Sequence, residues 1–281
     1  MVSPQETQRI DEVVDAARDL AIDLAMRAGA LLRETLNEPR EIARKGIVDL
    51  VTDADRASEE LISTGIRSVF PDHRLIGEEG ARGAVEHHRK DHAFGWVIDP
   101  LDGTTNFAHR YPHFAVSIGL EHHGRPVLGV VYDPMRDELF VGRDGAGATL
   151  NGQLIRVSST AELIASLLAT GFPYDLTARA ESNALWQEFN GRAQGVRRDG
   201  AAALNLCYVA AGRLDGYWER PLQPWDMGAG VVIVQEAGGT ISSLEHEGHN
   251  VYGREVVATN GPLRTPMREV IAETLQRLGN T

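Results

Sequence analysis

The residues most able to do chemistry lie in WVIDPLDGTTNF, residues 96–107. An apolar strand ends in Asp99, Pro100 fixes the turn, and Asp102 follows three residues on. This spacing aims both carboxylates into one pocket, with the Leu101 carbonyl exposed between them. Oxygen donors on a stiff turn suit a hard cation such as Mg²⁺. Gly103, Thr104 and Thr105 then open a helix, whose free backbone N–H groups can hold a phosphate. Carboxylates facing an anion cradle form a site for phosphate held through metal ions. Taken alone, Asp-Pro-Leu-Asp is equally satisfied by a surface turn with a capping Asp or Thr.

Three further acidic segments shift that balance. IGEEG, residues 76–80, puts Glu78 and Glu79 just past a short apolar run, where a loop begins. DLVTDAD, residues 49–55, sets Asp49, Asp53 and Asp55 at the end of a strand-like piece and the start of a helix. PWDMGAG, residues 224–230, places Asp226 at a helix N-terminus, where an N-cap is the simpler reading of that residue by itself. Acids at four such strand ends and helix starts are what a site for several metal ions requires.

The elements that must position these segments follow from periodicity. Ile10, Val13, Val14, Ala17, Ala21, Leu24, Ala25, Ala28, Leu31 and Leu32 trace the stripe of an amphipathic helix over residues 10–36, ended by Asn37, Glu38 and Pro39. A second helix runs from about residue 55 to residue 70, and Pro71 stops it. Residues 96–99, 114–121, 126–133 and 137–142 predict strands, with turns at 123–125 and 133–137. Beyond Asn151-Gly152 strand and helix alternate: strands at 166–172, 214–219, 239–243 and 255–260, helices at 184–193, 202–214, 227–238 and 262–278. No repeat, low-complexity tract or linker interrupts the chain. The expectation is one continuous α+β or α/β unit, a single domain over residues 1–281 with lobes of about 1–150 and 151–281.

Composition excludes other classes. The lone Cys207 can form neither an internal disulfide nor a cysteine zinc site. Forty acids against 28 bases give a net charge of −12, which argues against direct nucleic-acid binding. No apolar run reaches the ~20 residues that cross a bilayer. The N-terminal segment lacks a basic region followed by an apolar core, so a cytoplasmic protein is expected.

The motifs together resemble those of the inositol monophosphatase family of Mg²⁺-dependent, lithium-sensitive phosphatases, from DLVTDAD through GEE, WVIDPLDGTTNFAHRYPHFAVSIGL, LLATGFPYD and RRDGAAALNLCYVAAGRLDGYWE to PWDMGAGVVIVQEAGG. The continuation FAHRYPHFAVSIGL is similar to the bacterial inositol-1-monophosphatase branch. The resemblance implies a layered α/β/α/β/α sandwich of the inositol monophosphatase and fructose-1,6-bisphosphatase type. It also implies a homodimer acting on a small phosphate monoester, with two to three Mg²⁺ per active site. Glu78, Asp99 and the Leu101 carbonyl would hold the first ion. Asp99 would bridge to a second, completed by Asp102 and Asp226, and a hydrated third would sit near Glu78. Thr104 would orient the attacking water with Asp55 as its acid partner. The backbone of Gly103 and Thr104 would hold the phosphate, and Asp102, Ala202 and Glu219 would contact the inositol hydroxyls. Histidinol phosphate, fructose bisphosphate and 3′-phosphoadenosine nucleotides are alternative substrates. Some bacterial relatives also take part in transcription complexes, which makes a binding role the competing class.

The remaining features are plainer. Glu79, Asp49 and Asp53 are expected to stand behind the ligands or in solvent. His87, His88 and His92 lie in a charged run read as a solvated loop, Lys45 beside Gly46 adds positive potential, and Cys207 falls on an apolar helix face. RRDGAAAL departs from the family pattern, which usually carries a Thr or Ser around the glycine where Asp199, Gly200 and Ala201 stand here. Asp199, if it faced the pocket, would repel a second phosphate and favour monophosphates.

Overall fold

The computed structural model describes residues 4–38, 42–44, 50–78, 93–173, 175 and 179–279. Asp49, Glu79, Lys45, Gly46, His87, His88 and His92 lie outside them.

Helix α1 (Pro4–Thr35) buries most of the expected stripe, Val14, Ala17, Ala21, Leu24, Ala25, Ala28 and Leu32, and leaves Ile10, Val13 and Leu31 half-buried at its margin. It begins earlier than periodicity predicts because residues 5–9 are polar and exposed, so no apolar period marks them. Strands β1 (Ile42–Arg44) and β2 (Leu50–Thr52) pair as a small antiparallel ribbon. Helix α2 (Asp53–Val69) then packs along α1, its Gly65 fitted against the Leu24 side chain.

Both helices cover one face of a seven-stranded sheet. Its strands lie side by side in chain order: β3 (Arg74–Gly77), β4 (Phe94–Asp102), β5 (Ala115–His122), β6 (Arg125–Asp133), β7 (Glu138–Arg143), β8 (Gly147–Leu150) and β9 (Gln153–Leu154). Only β3 and β4 run parallel. Helix α3 (Thr104–Ala108) joins β4 to β5.

The second half supplies β10 (Leu167–Thr170), α4 (Arg179–Asn190), β11 (Gly195–Arg197), α5 (Ala202–Ala210), β12 (Gly216–Glu219), α6 (Pro224–Glu236), β13 (Thr240–Ser242), β14 (Val256–Thr259) and α7 (Arg264–Gly279). Its sheet runs β11-β10-β12-β14-β13. Helices α5 and α6 lie between the two sheets, and their buried side chains share one core with both. Helices α4 and α7 close the outer face through Leu185, Phe189, Met267 and Ile271. The layers are therefore α1/α2, sheet, α5/α6, sheet, α4/α7. Strands β3, β8, β9 and β11 are too short or too exposed to announce themselves by alternation.

Two features of this frame set the site. Strand β4 does not end at Asp99, as the sequence reading expected; it continues through Pro100 to Asp102. Asp99 pairs with Ser117 and Asp102 with Ala115, three steps along β4 against two along β5. That extra residue is a β-bulge. In a regular strand residues three apart face opposite sides. The bulge cancels the mismatch and turns both aspartates toward one side, while Pro100 has no N–H to lose from the ladder. The second feature is a stripe of paired glycines, Gly119, Gly129 and Gly142, on β5, β6 and β7. A Cβ on Gly129 would fall 2.1 Å from the Ala229 carbonyl oxygen, and one on Gly142 2.7 Å from Ile233 Cα. Without side chains there, the α6 backbone lies directly on the sheet, which brings its N-terminal residue Asp226 up to the bulge.

Candidate active site

The bulge is tied down from several directions. Asp99 Oδ1 accepts from the Leu101 amide at 3.0 Å, and the Pro100 carbonyl accepts from Ser58 Oγ of α2 at 2.8 Å. One turn earlier on α2, fully buried Asp55 accepts from Thr104 Oγ1 at 3.0 Å, with the Leu101 carbonyl 3.1 Å from the same hydroxyl. Gly103, at φ 95°, caps α3 in a left-handed conformation that most residues resist. Asp99, Asp102 and Thr104 are all buried, while Glu78 and Asp226 are half-buried.

Asp99, Asp102, Glu78 and Asp226 line one cavity of about 420 Å³ together with Leu101, Gly103, Thr104, Ala202 and Glu219. Burial lifts the Asp99 carboxyl well above the ordinary value near 3.8, and repulsion from Glu78, Asp102 and Asp226 lifts it further. Asp102 is raised chiefly by burial and then by Asp226, against amides that hold it down. Those amides are Ala202 N, 3.0 Å from Oδ1, and Ala203 N, 2.8 Å from Oδ2. Helix α5 has no side-chain cap of its own, so Asp102 supplies one from across the cleft. Asp226 is not an N-cap. It occupies the third helical position and accepts from the Gln223 amide at 2.6 Å, completing a capping box.

The opposite wall belongs to the second sheet. Glu219 ends β12, and its carboxyl lies so close over Gly171 that a Cβ there would fall 2.0 Å from it. Tyr217 donates its hydroxyl to Glu219 Oε2. Desolvation pushes the Glu219 carboxyl up to about 6, while the Tyr217 bond and the charge of Arg198 pull it down. The Arg198 guanidinium stands 5.9 Å over the Phe172 ring, and both residues line the cavity.

These placements correct the expectation for RRDGAAAL. Arg198 and Gly200 line the cavity and Asp199 does not. The Asp199 charge acts on His113 instead. Buried Ala201 forms the N-cap of α5, and the Ala202 amide is given to Asp102. Asp53 is exposed, in solvent as expected, and accepts from the Ala54 amide at 3.1 Å. Cys207 is fully buried, its thiol pushed up by burial.

Sequence reasoning missed Arg198, Arg254, Phe172 and Gly171 on the cavity wall, since none sits in an acid motif. It also missed the Thr105 hydroxyl, which is buried without a hydrogen-bond partner in a residue lining the cavity. An orphan hydroxyl beside the α3 amides fits an anion. The acids fit a hard cation: like carboxylates this mutually destabilised need positive charge between them, and every donor is oxygen. Among the described residues no three His, Cys, Asp or Glu side chains already converge on a coordination sphere; the acids stand around the cleft as like charges do.

Comparison with known proteins places this geometry. Residues 13–279 match the model of the inositol monophosphatase family. An inositol-1-monophosphatase of Synechocystis sp. is 46% identical over 263 residues, covering 92% of this chain and 89% of that protein. The Nus factor SuhB of Escherichia coli is 42% identical over 268 residues, covering 92% of this chain and 98% of its own. The crystal structure of the extragenic suppressor protein suhB from Bartonella henselae superposes with a TM-score of 0.85 at 37% identity, over 91% of this chain and 98% of that one.

Proposed function

Because this chain belongs to the inositol monophosphatase family, and is accordingly a phosphoric monoester hydrolase, we propose that it hydrolyses myo-inositol monophosphate to inositol and phosphate with Mg²⁺. The observation that carries this reading is the pairing of two walls in one cavity: an all-oxygen acid cluster on the bulge, and facing it a carboxyl, Glu219, braced to read hydroxyls.

Glu78, Asp99 and the Leu101 carbonyl would hold one Mg²⁺, and Asp99, Asp102 and Asp226 a second, with a hydrated third near Glu78. When bound, Mg²⁺ supplies positive charge that neutralises the phosphate dianion and acidifies a water molecule. The chain's own groups do the rest. Thr104 Oγ1 has one proton, claimed by Asp55 or the Leu101 carbonyl, so toward the cleft it can only accept. A water donating to it turns a lone pair away, toward phosphorus. Asp55, sealed from solvent, keeps that hydroxyl oriented. Amides of Gly103 and Thr104, with the Thr105 hydroxyl, hold the phosphate. Asp102, Ala202 and Glu219 bind the polyol. Neither a cysteine nor a serine nucleophile is needed, and no phosphoenzyme forms.

This reading extends to the whole chain: one catalytic unit with lobes at about 1–150 and 151–281, supported by the core that both sheets share. It works as a cytoplasmic homodimer and carries the family's lithium sensitivity. Among the described residues no helix is long and apolar enough to cross a membrane. The test is phosphate release with Mg²⁺ from inositol 1-phosphate, histidinol phosphate, fructose 1,6-bisphosphate and a 3′-phosphoadenosine nucleotide. Inositol 1-phosphate is expected to give the highest kcat/KM, and faster turnover of any other would overturn the assignment. Relatives that are Nus factors favour a second reading, a transcription-complex role beside catalysis. Co-purification of RNA polymerase with the catalytically dead protein would support it.

A further inference from the structure

Asp102 is not the only group that spans the two halves of the site. Asn106, half-buried in the middle of α3, donates both hydrogens of its amide to carbonyls: Nδ2 lies 2.8 Å from His113 O and 2.8 Å from Asp199 O. The first acceptor belongs to the loop that returns α3 to β5. The second lies 93 residues along, in the turn that leads through Gly200 and Ala201 into α5. Carbonyls only accept, so the amide can sit just one way round. The fit is close: a Cβ on Gly103 would lie 3.1 Å from His113 O, and one on Gly200 3.4 Å from Asn106 Nδ2.

We propose that Asn106 is a positioning residue, the second half of a two-point clasp that fixes the N-terminus of α5 against the metal-binding bulge. Asp102 grips the Ala202 and Ala203 amides from the N-terminal half. Asn106 grips the turn three residues earlier from the same half. Two points of attachment prevent the turn from pivoting, so the distance between the phosphate end of the cleft and its polyol end is set. Neither partner alone could do this, because one contact leaves a hinge. Asn106 does not line the cavity and touches no substrate; it acts through Gly200 and Ala202, which do line it. A side chain with two hydrogens on one nitrogen is required, which leaves Asp, Ser or Thr unable to replace it.

The kinetic consequence rests on the hydrolase reading above; the mechanical one does not. In Asn106→Ala, kcat/KM for inositol 1-phosphate, which spans both walls, should fall about tenfold more than for p-nitrophenyl phosphate, which needs only the phosphate end. In Asn106→Asp the carboxylate would face two carbonyl oxygens, and activity relative to wild type at the same pH should recover as pH falls and the acid regains one donor. Hydrogen exchange read on the peptide covering residues 198–204, against one from α6 covering 229–234, tests the clasp without any substrate. Faster exchange in the first peptide alone supports the clasp. Equal acceleration of both peptides with a matching fall in Tm, or unchanged exchange in 198–204, overturns it. If wild type fails to turn over inositol 1-phosphate while the exchange result holds, the substrate assignment falls and the clasp stands.

Discussion

The two walls of the cleft are built on opposite plans. The acid wall has a local centre: Asp99, Leu101, Asp102, Gly103 and Thr104 lie within six consecutive positions oriented by one bulge, and only Glu78 and Asp226 are brought to it from elsewhere. The polyol wall is assembled from distance: Gly171, Arg198 with Ala202, and Glu219 come from three segments, held by packing and by single contacts such as Tyr217 on Glu219. A local wall concentrates charge and accepts instability for it. A distant wall carries little charge and depends on steric precision. The walls should therefore fail differently when disturbed.

The largest effect is expected at Asp99. Asp99→Asn removes the proposed bridging charge between two ions, so kcat should fall by roughly three orders of magnitude or more, several kcal/mol of transition-state stabilisation. The same change should stabilise the metal-free protein. Asp99 and Asp102 have raised carboxyls in the folded state, so the native state binds more protons than the unfolded one. Stability from these groups is present at low pH and is lost as pH rises from the ordinary value near 3.8 through their raised folded values. Metal-free wild type should accordingly show a Tm that rises on moving from pH 8 toward pH 5. Mg²⁺ should flatten that slope, and so should Asp99→Asn. A metal-free variant less stable than wild type at pH 8 would show that the acid wall carries no electrostatic burden.

The difference between the walls also explains what the sequence could disclose. Asp99, Asp102 and Asp226 stand in compact motifs, and their types and spacing announce oxygen chemistry. The helices α1 and α2 were legible because a solvent face and a core face alternate along them. The bulge was not: strand pairing decides it, and Pro100 in sequence reads as a turn. The orientation of RRDGAAAL was not legible either. The turn that presents Arg198 to the cavity and Asp199 away from it gives its Asp199 carbonyl to Asn106, a contact across 93 residues that no local pattern marks. Gly171 has no motif at all; its requirement appears only when Glu219 is seen resting on it.

That resting contact gives the intermediate effect. Gly171→Ala places a methyl where the Glu219 carboxyl lies, so the carboxyl must swing away and leave Tyr217. A lost hydrogen bond to a charged acceptor corresponds to roughly ten- to hundredfold. The loss should appear in kcat/KM for inositol 1-phosphate and spare p-nitrophenyl phosphate. Glu219→Ala should reproduce it without adding to it when the two are combined, since both remove one contact. Equal losses on both substrates would make Glu219 a structural residue and move hydroxyl recognition elsewhere.

The smallest effect should come from Arg198. Its guanidinium is exposed over Phe172, where a cation–π contact is worth about 0.5–1 kcal/mol. Its charge also holds Glu219 below where burial alone would put it, although that carboxyl still sits at about 6. In Arg198→Ala, Glu219 should therefore titrate higher, and more of it would be protonated near neutral pH. A protonated carboxyl has less capacity to accept from polyol hydroxyls, so the acid limb of kcat/KM for inositol 1-phosphate should move to higher pH. Near pH 8.5 variant and wild type should converge, because Glu219 is ionised in both. At pH 6.5 the variant should be slower by only a few-fold, in keeping with an exposed charge screened by solvent. The p-nitrophenyl phosphate profile, which does not engage Glu219, should stay where it is. Parallel displacement of both profiles, or a variant equally impaired at every pH, would mean that Arg198 acts on phosphate binding and not through the polyol wall.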